Sequence, residues 1–191
     1  MNLPRILIVD DEEEVRQAYL SILKPQRVSD GIDEIAASLF DSTENTIDLD
    51  QLTAFFEDDG AEMIVEEGLR TGTYELDEAS QGMEAVEKIR HALAEERPYS
   101  LLFLDIRMPP GIDGVQAARE IRQLDPNVEI VIMTAYSDYS YEEIVSTVGN
   151  PERLLYFHKP FKSSQILQLA STLTQQWYLE RKCTEQDRQW R

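Results

Sequence analysis

Residues 101–114 read LLFLDIRMPPGIDG, and this stretch decides the fold class. Four apolar residues run into one carboxylate, Asp105, and two prolines and two glycines follow within nine residues. A short apolar run that ends in turn residues is typical of a buried strand. Because proline and glycine disfavour helix interiors, they keep the chain after Asp105 in a loop. The stretch therefore predicts a buried strand that presents a lone aspartate at its end.

Similar apolar runs and helical patterns alternate along the chain on both sides of this stretch. The predicted strands are RILIVDD (5–11), TYELDEA (73–79), SLLFLD (100–105), VEIVIMTA (128–135) and LLYFHKPF (154–161). The predicted helices are 12–25, 80–98, 113–126, 138–150 with Asp138 as N-cap and Gly149 as stop, and a long one from Ser163 onward. Strands that alternate with helices of this length indicate a parallel sheet. We therefore predict an α/β, flavodoxin-like, doubly wound fold with five strands in the order 2-1-3-4-5.

The acidic residues are concentrated in one segment. Residues 26–73 contain 13 Asp and Glu and two Arg, a net charge of −11, whereas the whole chain carries −19. Within that segment, GIDEIAASLF (31–40) and DLDQLTAFF (48–56) have apolar residues at helical spacing. DSTENTIDLD (41–50) lacks the glycine and glutamate of a calcium-binding loop, so we expect no calcium there. We predict a helical acidic insertion at residues 26–72 that packs near the first and last helices and away from Asp105; a solvated acidic loop is the alternative.

Composition excludes several function classes. The net charge of −19 opposes sequence-independent binding to nucleic acid or to an anionic membrane. One cysteine, Cys183, cannot form a disulfide within the chain. No apolar run approaches the roughly 18 residues of a membrane-spanning helix, and MNLPRILIVDDEEE lacks the design of a signal peptide. We therefore expect a cytoplasmic protein that binds neither nucleic acid nor membrane.

Polar side chains stand at the ends of four predicted strands. In chain order they are Asp10, Asp11, Asp105, Thr134 and Lys159. In a doubly wound sheet, ligands bind outside the carboxyl ends of the strands, so we expect these residues to meet at one edge. Three carboxylates at one place need a compensating cation. Oxygen ligands suit Mg²⁺, with Mn²⁺ as the alternative ion.

This set of groups is suited to phosphoryl transfer. A carboxylate beside Mg²⁺ can accept a phosphoryl group and become an aspartyl phosphate. The transferred group needs positive charge and hydrogen-bond donors around its oxygens, which Lys159 and Thr134 would supply. We predict that Asp105 is phosphorylated and that Lys159 and Thr134 are catalytic. The predicted metal ligands are Asp11, Asp105 and the main-chain carbonyl of Arg107, with Asp10 assisting.

Alternative functions on this fold fit the residues less well. A phosphatase of the haloacid-dehalogenase type would resemble D-x-D after the strand, but this chain has Arg107 at the second aspartate position. A flavin-binding protein needs a phosphate loop after the first strand, where DDEEEVR (10–16) would repel a phosphate. His91 and His158 could carry phosphoryl groups, but we expect His91 at the surface and His158 packed beside the site without reacting.

Four motifs together resemble the receiver domain of bacterial response regulators. They are ILIVDDEEEVR (6–16), LLFLDIRMPPGIDG (101–114), VIMTAYSDYS (131–140) and LLYFHKPF (154–161). The resemblance covers roughly residues 4–24 and 73–177. In it, Asp105 matches the phospho-accepting aspartate, Asp10 and Asp11 the acidic pair, Thr134 the switch hydroxyl, Tyr156 the switch aromatic and Lys159 the invariant lysine. The resemblance also implies a cis Lys159–Pro160 bond.

The resemblance implies a signalling role. Such a domain accepts a phosphoryl group from a sensor histidine kinase or a phosphotransfer protein, then switches through Thr134 and Tyr156 to control a partner or an output domain. It catalyses its own phosphotransfer and dephosphorylation but is not otherwise an enzyme. A receiver-like docking module that takes no phosphate is the alternative.

The chain departs from the family pattern in two places. A short connection is usual where this chain has residues 26–72, and no output domain is recognisable, so the sequence could be part of a longer protein. RMPPGIDG and TAYSDYSYEEI resemble a subgroup whose receivers precede histidine kinase or cyclic-di-GMP signalling domains. The apolar pattern of the last helix continues past the usual domain end. We assign residues 1–177 to the receiver and 178–191 to a helical extension that could support a homodimer.

Overall fold

The computed structural model describes residues 3–24, 74–134 and 139–189, with side chains described as far as residue 184. In chain order the elements are β1 (Arg5–Val9), α1 (Glu13–Leu23), β2 (Glu75–Ala79), α2 (Gly82–Ala94), β3 (Leu101–Asp105), α3 (Gly114–Leu124), β4 (Glu129–Thr134), α4 (Tyr141–Val148), a 3₁₀ turn (Pro151–Arg153), β5 (Leu154–His158) and α5 (Ser163–Gln189). The predicted insertion at 26–72 lies outside the described residues, so its helices and their packing remain predictions.

The described strands form one parallel sheet in the order β2-β1-β3-β4-β5. β1 lies inside the sheet, with Ile6 opposite Leu76 on one side and Leu101 on the other. β3 and β4 are buried along their whole length, which is why their sequences are nearly continuous apolar runs. β2 is an edge strand and is only half-buried. The predicted fold class and strand order are confirmed.

Helices cover both faces of the sheet. On one face, α2, α3 and α4 bury Ile89, Ile121 and Ile144 in a single cluster with alternate residues of the strands. On the other face, α1 and α5 bury Tyr19 and Ile166 with the remaining strand residues. Each fully buried side chain of this size stabilises the fold by about 1.5–3 kcal/mol relative to its exposed state. The two apolar layers cover the sheet, whose parallel strands carry the predicted site residues at one edge.

The start of α4 differs from the prediction. Its N-cap is Ser140, whose hydroxyl accepts a hydrogen bond from the Glu143 N–H (3.2 Å), while the Glu143 carboxylate accepts one from the Ser140 N–H (2.7 Å). This capping box satisfies two otherwise unpaired N–H groups at once. The prediction of Asp138 as N-cap was therefore wrong. The predicted stop at Gly149 is confirmed, and its φ of 74° is one that glycine adopts without steric cost.

The last helix, α5, runs without a break past the predicted domain end at residue 177. It buries Ile166 and Leu173, while Trp177 is half-buried with the Arg181 guanidinium 5.2 Å from its ring centroid. Residues 178–189 therefore continue the same helix, and a domain boundary at 177 remains a prediction. Although α5 has 27 residues, no helix in the described part of the chain is apolar enough to cross a membrane.

A buried ion pair lies at the amino-terminal edge of the sheet. Glu129, at the start of β4, is 1% exposed, and its carboxylate accepts a hydrogen bond from the Arg153 guanidinium at 2.6 Å. Arg153 also contacts Glu180 on α5. Burial raises the pKa of Glu129 above its ordinary value, and the positive charge of Arg153 offsets only part of that increase. The ion pair therefore keeps a carboxylate buried that would otherwise be unpaired.

We predict that Arg153→Ala lowers the free energy of unfolding by about 3 kcal/mol at pH 7, because it leaves Glu129 buried without its partner. A group whose pKa is higher in the folded than in the unfolded state contributes its full stabilisation at pH values below the unfolded-state pKa, which is about 4.3 for Glu. That stability is lost as pH rises through the folded pKa. The deficit of the variant should therefore shrink towards pH 4. Urea unfolding at several pH values measures it.

Two further variants separate the effect of the buried Glu129 charge from the effect of the Arg153–Glu180 contact on stability. Glu129→Gln removes the buried charge, so Glu129→Gln/Arg153→Ala should be more stable at pH 7 than Arg153→Ala alone. Glu180→Gln removes only the contact of Arg153 with α5 and should cost less than about 1 kcal/mol, as half-exposed pairs do. A pH-independent deficit in Arg153→Ala would show that the buried charge is not the cause.

Candidate functional site

The predicted site residues stand at the carboxyl edge of the sheet. Asp10 directly follows β1, Asp105 is the last residue of β3, and Thr134 is the last residue of β4. Lys159 directly follows β5, and its N–H donates to the carbonyl oxygen of Thr134 at 2.7 Å. Because the strands are parallel, all four residues lie at the same edge, as predicted.

The Lys159 ammonium joins two carboxylates at this edge. Its Nζ lies 2.6 Å from Asp10 Oδ2 and 2.7 Å from Asp105 Oδ1. The second oxygen of each carboxylate accepts a main-chain N–H, from Glu12 to Asp10 (3.0 Å) and from Arg107 to Asp105 (2.8 Å). Asp10 is 2% exposed and Asp105 8%, so both carboxylates are largely withdrawn from water. The arrangement leaves Asp105 Oδ1 facing the lysine.

The electrostatics of this cluster leave negative charge uncompensated. Burial raises the pKa of Asp105 above its ordinary value, although the hydrogen bond and charge of Lys159 act in the opposite direction. Burial lowers the pKa of Lys159, but its hydrogen bonds to Asp10 and Asp105 outweigh this effect and leave the pKa raised. The lysine therefore stays protonated, and its single charge is shared between two buried carboxylates. The edge can accommodate a further positive charge.

The turn after β5 has the predicted cis bond. The Lys159–Pro160 peptide is cis, which confirms the expectation drawn from the family resemblance. The Pro109–Pro110 peptide is also cis, and nothing in the sequence had suggested it.

Thr134 is buried at the end of β4, with 2% of its surface exposed. Its carbonyl oxygen accepts the main-chain N–H of Lys159, so it lies next to the turn that carries the lysine.

Lys159, Asp10 and Asp105 form what we call the lysine cluster. Two of the other predicted residues lie outside it. Asp11 is half-exposed, and within residues 3–24, 74–134 and 139–184 no three His, Cys, Asp or Glu side chains form a group that could hold a metal ion. Tyr156 is half-buried, and its ring meets the exposed His158 ring edge-on at 5.0 Å. His91 is exposed as expected and lies 3.4 Å from Glu95.

Comparison with known proteins identifies the family. The family model of the response regulator receiver domain matches residues 57–171, which is more than half of the chain. The chain belongs to this family. β1 and α1 precede the matched residues, and the structure places β1 between β2 and β3 of the receiver sheet.

The chain covers very different shares of the proteins to which it is similar. Sporulation initiation phosphotransferase F of Bacillus subtilis (strain 168) is 28% identical over 107 residues, which are 56% of this chain and 79% of that protein. Transcriptional regulatory protein ZraR of Klebsiella oxytoca is 38% identical over 69 residues, which are 36% of this chain but 14% of that protein. The similarity to ZraR thus concerns a small part of a much longer protein.

Solved structures share the receiver fold. A CheY-like receiver domain protein from Methanospirillum hungatei JF-1 has a TM-score of 0.57 at 19% identity, covering 94% of this chain and 99% of that one. Response regulator TrrA from Thermotoga maritima, solved in complex with Mg(2+)-BeF, has a TM-score of 0.50 at 23% identity, covering 90% of this chain and 99% of that one.

Sequence reasoning missed an arginine that holds the first loop of the receiver. The Arg16 guanidinium donates to the main-chain oxygens of Asp10 (2.8 Å) and Asp11 (3.3 Å). It also pairs with Glu78 on β2 at 3.2 Å. The only sequence signal was a basic residue two positions after the acidic run 10–14. Arg16 therefore fixes the backbone that carries the acidic pair.

An aromatic cluster lies beneath the lysine cluster. The Tyr19 ring centroid is 5.1 Å from that of Phe103 and 4.7 Å from that of Phe161. Phe103 precedes Asp105 by two residues on the same face of β3, and Phe161 follows Lys159 by two residues. Burial, followed by the negative charges of Asp10 and Asp105, raises the pKa of Tyr19. Packing of α1 therefore supports both partners of the Lys159–Asp105 contact.

The loop after Asp105 returns to the strand end with almost no clearance. The Gly114 N–H donates to the Ile106 carbonyl oxygen at 2.8 Å. A Cβ at residue 114 would lie 2.0 Å from the Asp105 carbonyl oxygen. At Gly111, a Cβ would instead meet the end of the Gln81 side chain at 2.7 Å. Only glycine therefore fits at 114, because the clash there is with backbone.

We predict that Gly114→Ala lowers the free energy of unfolding by about 3 kcal/mol, at the upper end of overpacking costs, because α3 must move away from the strand end. Gly111→Ala is the matched control and should cost less than about 1 kcal/mol, since the Gln81 side chain can swing aside. Urea unfolding of both variants measures the difference. Equal costs for the two substitutions would contradict the close backbone approach at residue 114.

Proposed function

We propose that this receiver accepts a phosphoryl group on Asp105 from a sensor histidine kinase or a phosphotransfer protein. The observation that carries the proposal is the Lys159 ammonium, held between the buried carboxylates of Asp10 and Asp105 at 2.6 and 2.7 Å. A nucleophilic carboxylate beside a fixed positive charge is what phosphoryl transfer requires. Membership of the receiver family supports the same reaction.

The geometry suggests how the chain's own groups act in the transfer. The Arg107 N–H holds Asp105 Oδ2, which leaves Oδ1 directed at Lys159. In the proposed step, an oxygen of Asp105 attacks phosphorus while the bond to the donor's imidazole nitrogen breaks, and that nitrogen leaves with the electron pair. Lys159 then neutralises charge on the phosphoryl oxygens, and the Thr134 hydroxyl donates to one of them.

A divalent cation fits the chemistry of this edge. Oxygen donors and uncompensated negative charge suit Mg²⁺, or Mn²⁺ as the alternative. Asp11, Asp105 and the Arg107 carbonyl would hold the ion, with Asp10 assisting. The ion would neutralise charge on the transferred group. The related fold of TrrA was solved with Mg(2+)-BeF, which is consistent with this assignment.

The same residues provide a route from phosphorylation to signalling. A phosphoryl group adds a charge of about −2 and new acceptor oxygens, which a nearby hydroxyl can approach. We propose that Thr134 moves towards it and that Tyr156 follows, so that the α4–β5–α5 face changes. The output controlled by this face, pairing of two chains through α5, and hydrolysis of the aspartyl phosphate by the domain itself are further parts of the proposal. The alternative is a receiver that serves only for docking.

We predict that incubation with Mg²⁺ and acetyl phosphate adds one phosphoryl group to the chain, and that Asp105→Asn abolishes the adduct because the amide is not a nucleophile. Intact-mass spectrometry measures the yield with and without chelator. Asp125→Asn is the matched control, since Asp125 is also buried and accepts the Asn127 N–H in the turn after α3. An adduct of unchanged yield in Asp105→Asn would exclude Asp105, and no adduct in the native sequence would favour the docking alternative.

We predict opposite effects of Lys159→Met on metal binding and phosphorylation. Without the ammonium, Asp10 and Asp105 are free to interact with a cation, so Mg²⁺ should bind about tenfold tighter, which corresponds to about 1.4 kcal/mol. The phosphoryl oxygens lose their positive partner, so phosphorylation should slow by at least about tenfold. Calorimetry and intact mass measure the two effects.

The matched control for this substitution is Lys162→Met, at an exposed lysine three residues further along the chain. It should change neither Mg²⁺ affinity nor phosphorylation rate. Phosphorylation of Lys159→Met at the native rate would show that the Lys159–Asp105 contact is structural only.

A further inference from the structure

One carboxylate next to the proposed phosphorylation site receives donors from two different elements. Asp113 Oδ1 accepts the Gln116 N–H at 2.8 Å and so caps α3. Asp113 Oδ2 accepts the Tyr139 hydroxyl at 2.8 Å. These residues are 26 positions apart in sequence. The second bond therefore joins the start of α4 to the loop that follows Asp105.

The Asp113 end of this bond is rigidly connected to the site. Gly114 donates to the Ile106 carbonyl and leaves no room for a Cβ against the Asp105 carbonyl oxygen. Asp113 is therefore held at a fixed place relative to the backbone of Asp105. A displacement of one requires a displacement of the other, because packed backbone cannot be compressed.

The Tyr139 end is equally well connected to α4. Ser140 follows it directly and forms the capping box with Glu143, which starts the helix. Ile144 is fully buried in the core cluster, and Tyr139 packs against the same cluster. The Tyr139–Asp113 hydrogen bond therefore positions the amino terminus of α4, not merely a surface side chain.

Thr134 lies only five residues before Tyr139. Five residues span at most about 18 Å when fully extended, so the positions available to Thr134 depend on where α4 begins. Thr134 is buried at the end of β4, and its carbonyl already holds Lys159. Any approach of Thr134 to a group on Asp105 takes place between two anchors, the β4 ladder and the Tyr139–Asp113 bond.

We infer that Tyr139 is a positioning residue for Thr134: its hydrogen bond to Asp113 holds α4 in the observed arrangement and opposes the approach of Thr134 to the phosphoryl group. The inference rests on the proposed phosphorylation of Asp105. It follows that loss of the hydroxyl favours the phosphorylated arrangement, because a bond present in only one of two states stabilises that state alone.

The test is the affinity of the protein for beryllofluoride, an analogue of the phosphoryl group, in the presence of Mg²⁺. Tyr139→Phe should bind it about tenfold tighter, the effect expected at the low end for one hydrogen bond to a carboxylate. Tyr141→Phe is the matched control, since Tyr141 is 47% exposed on the first turn of α4, and its affinity should not change. Asp113→Asn weakens the same bond from the other side, so Asp113→Asn/Tyr139→Phe should gain little beyond the larger single effect.

Hydrogen exchange separates positioning from a structural role. Without beryllofluoride, Tyr139→Phe should speed amide exchange in α4 selectively, whereas a structural role alone would lower global stability and leave the analogue affinity unchanged. An affinity of Tyr139→Phe within twofold of the native value, or weaker, overturns the inference. Failure of the native sequence to bind beryllofluoride overturns the proposed function and this inference with it, and that result is distinct from binding that Tyr139→Phe leaves unchanged.

Discussion

The Lys159 ammonium, shared by Asp10 and Asp105, is the interaction on which the rest of this receiver depends. β5 lies three strand spacings from β1, about 14 Å, so the two ends of the contact come from distant parts of the sheet. The position of Lys159 directly after β5, the hydrogen bond from its main-chain N–H to the Thr134 carbonyl and the length of its side chain together bridge that span. The site therefore exists only when β1, β3, β4 and β5 are assembled in their observed order.

Apolar packing sets the accuracy of this contact. Tyr19 lies against Phe103 and Phe161, which are each two residues from a partner of the ion pair. On the opposite side, Gly114 brings α3 against the Asp105 carbonyl with no space for a methyl group. A shift in either layer would move Asp105 relative to Lys159, because close-packed interiors transmit displacements instead of absorbing them. The packing of the core therefore determines the geometry of the carboxyl edge, where we propose that the reaction takes place.

Polar networks at the two edges of the sheet have different consequences. At the amino-terminal edge, Arg153 satisfies the buried Glu129 and also contacts Glu180 on α5, which connects the sheet to the long helix. At the carboxyl edge, Asp113 connects the loop after Asp105 to the start of α4 through Tyr139. The first network concerns only the fold, since it pairs the buried Glu129 at the edge of the sheet opposite the site. The second joins two elements that border the site, so it can influence the reaction that we propose there.

The sequence by itself determined the elements, their order in the sheet and the edge at which the polar residues meet. Apolar runs such as 101–104 and the glycine at 149 are local signals, and the rule that ligands bind at the carboxyl ends of parallel strands then places Asp10, Asp105 and Lys159 together. Local signals failed where two were in competition, as at Asp138 and Ser140. Only the tertiary structure decided which groups touch: Tyr139 with Asp113, Arg153 with Glu129, Arg16 with the acidic loop, and Lys159 with Asp10 and Asp105. Periodicity specifies which face of an element is buried, whereas a contact between residues far apart in sequence depends on how helices and strands pack, and no local pattern contains that information.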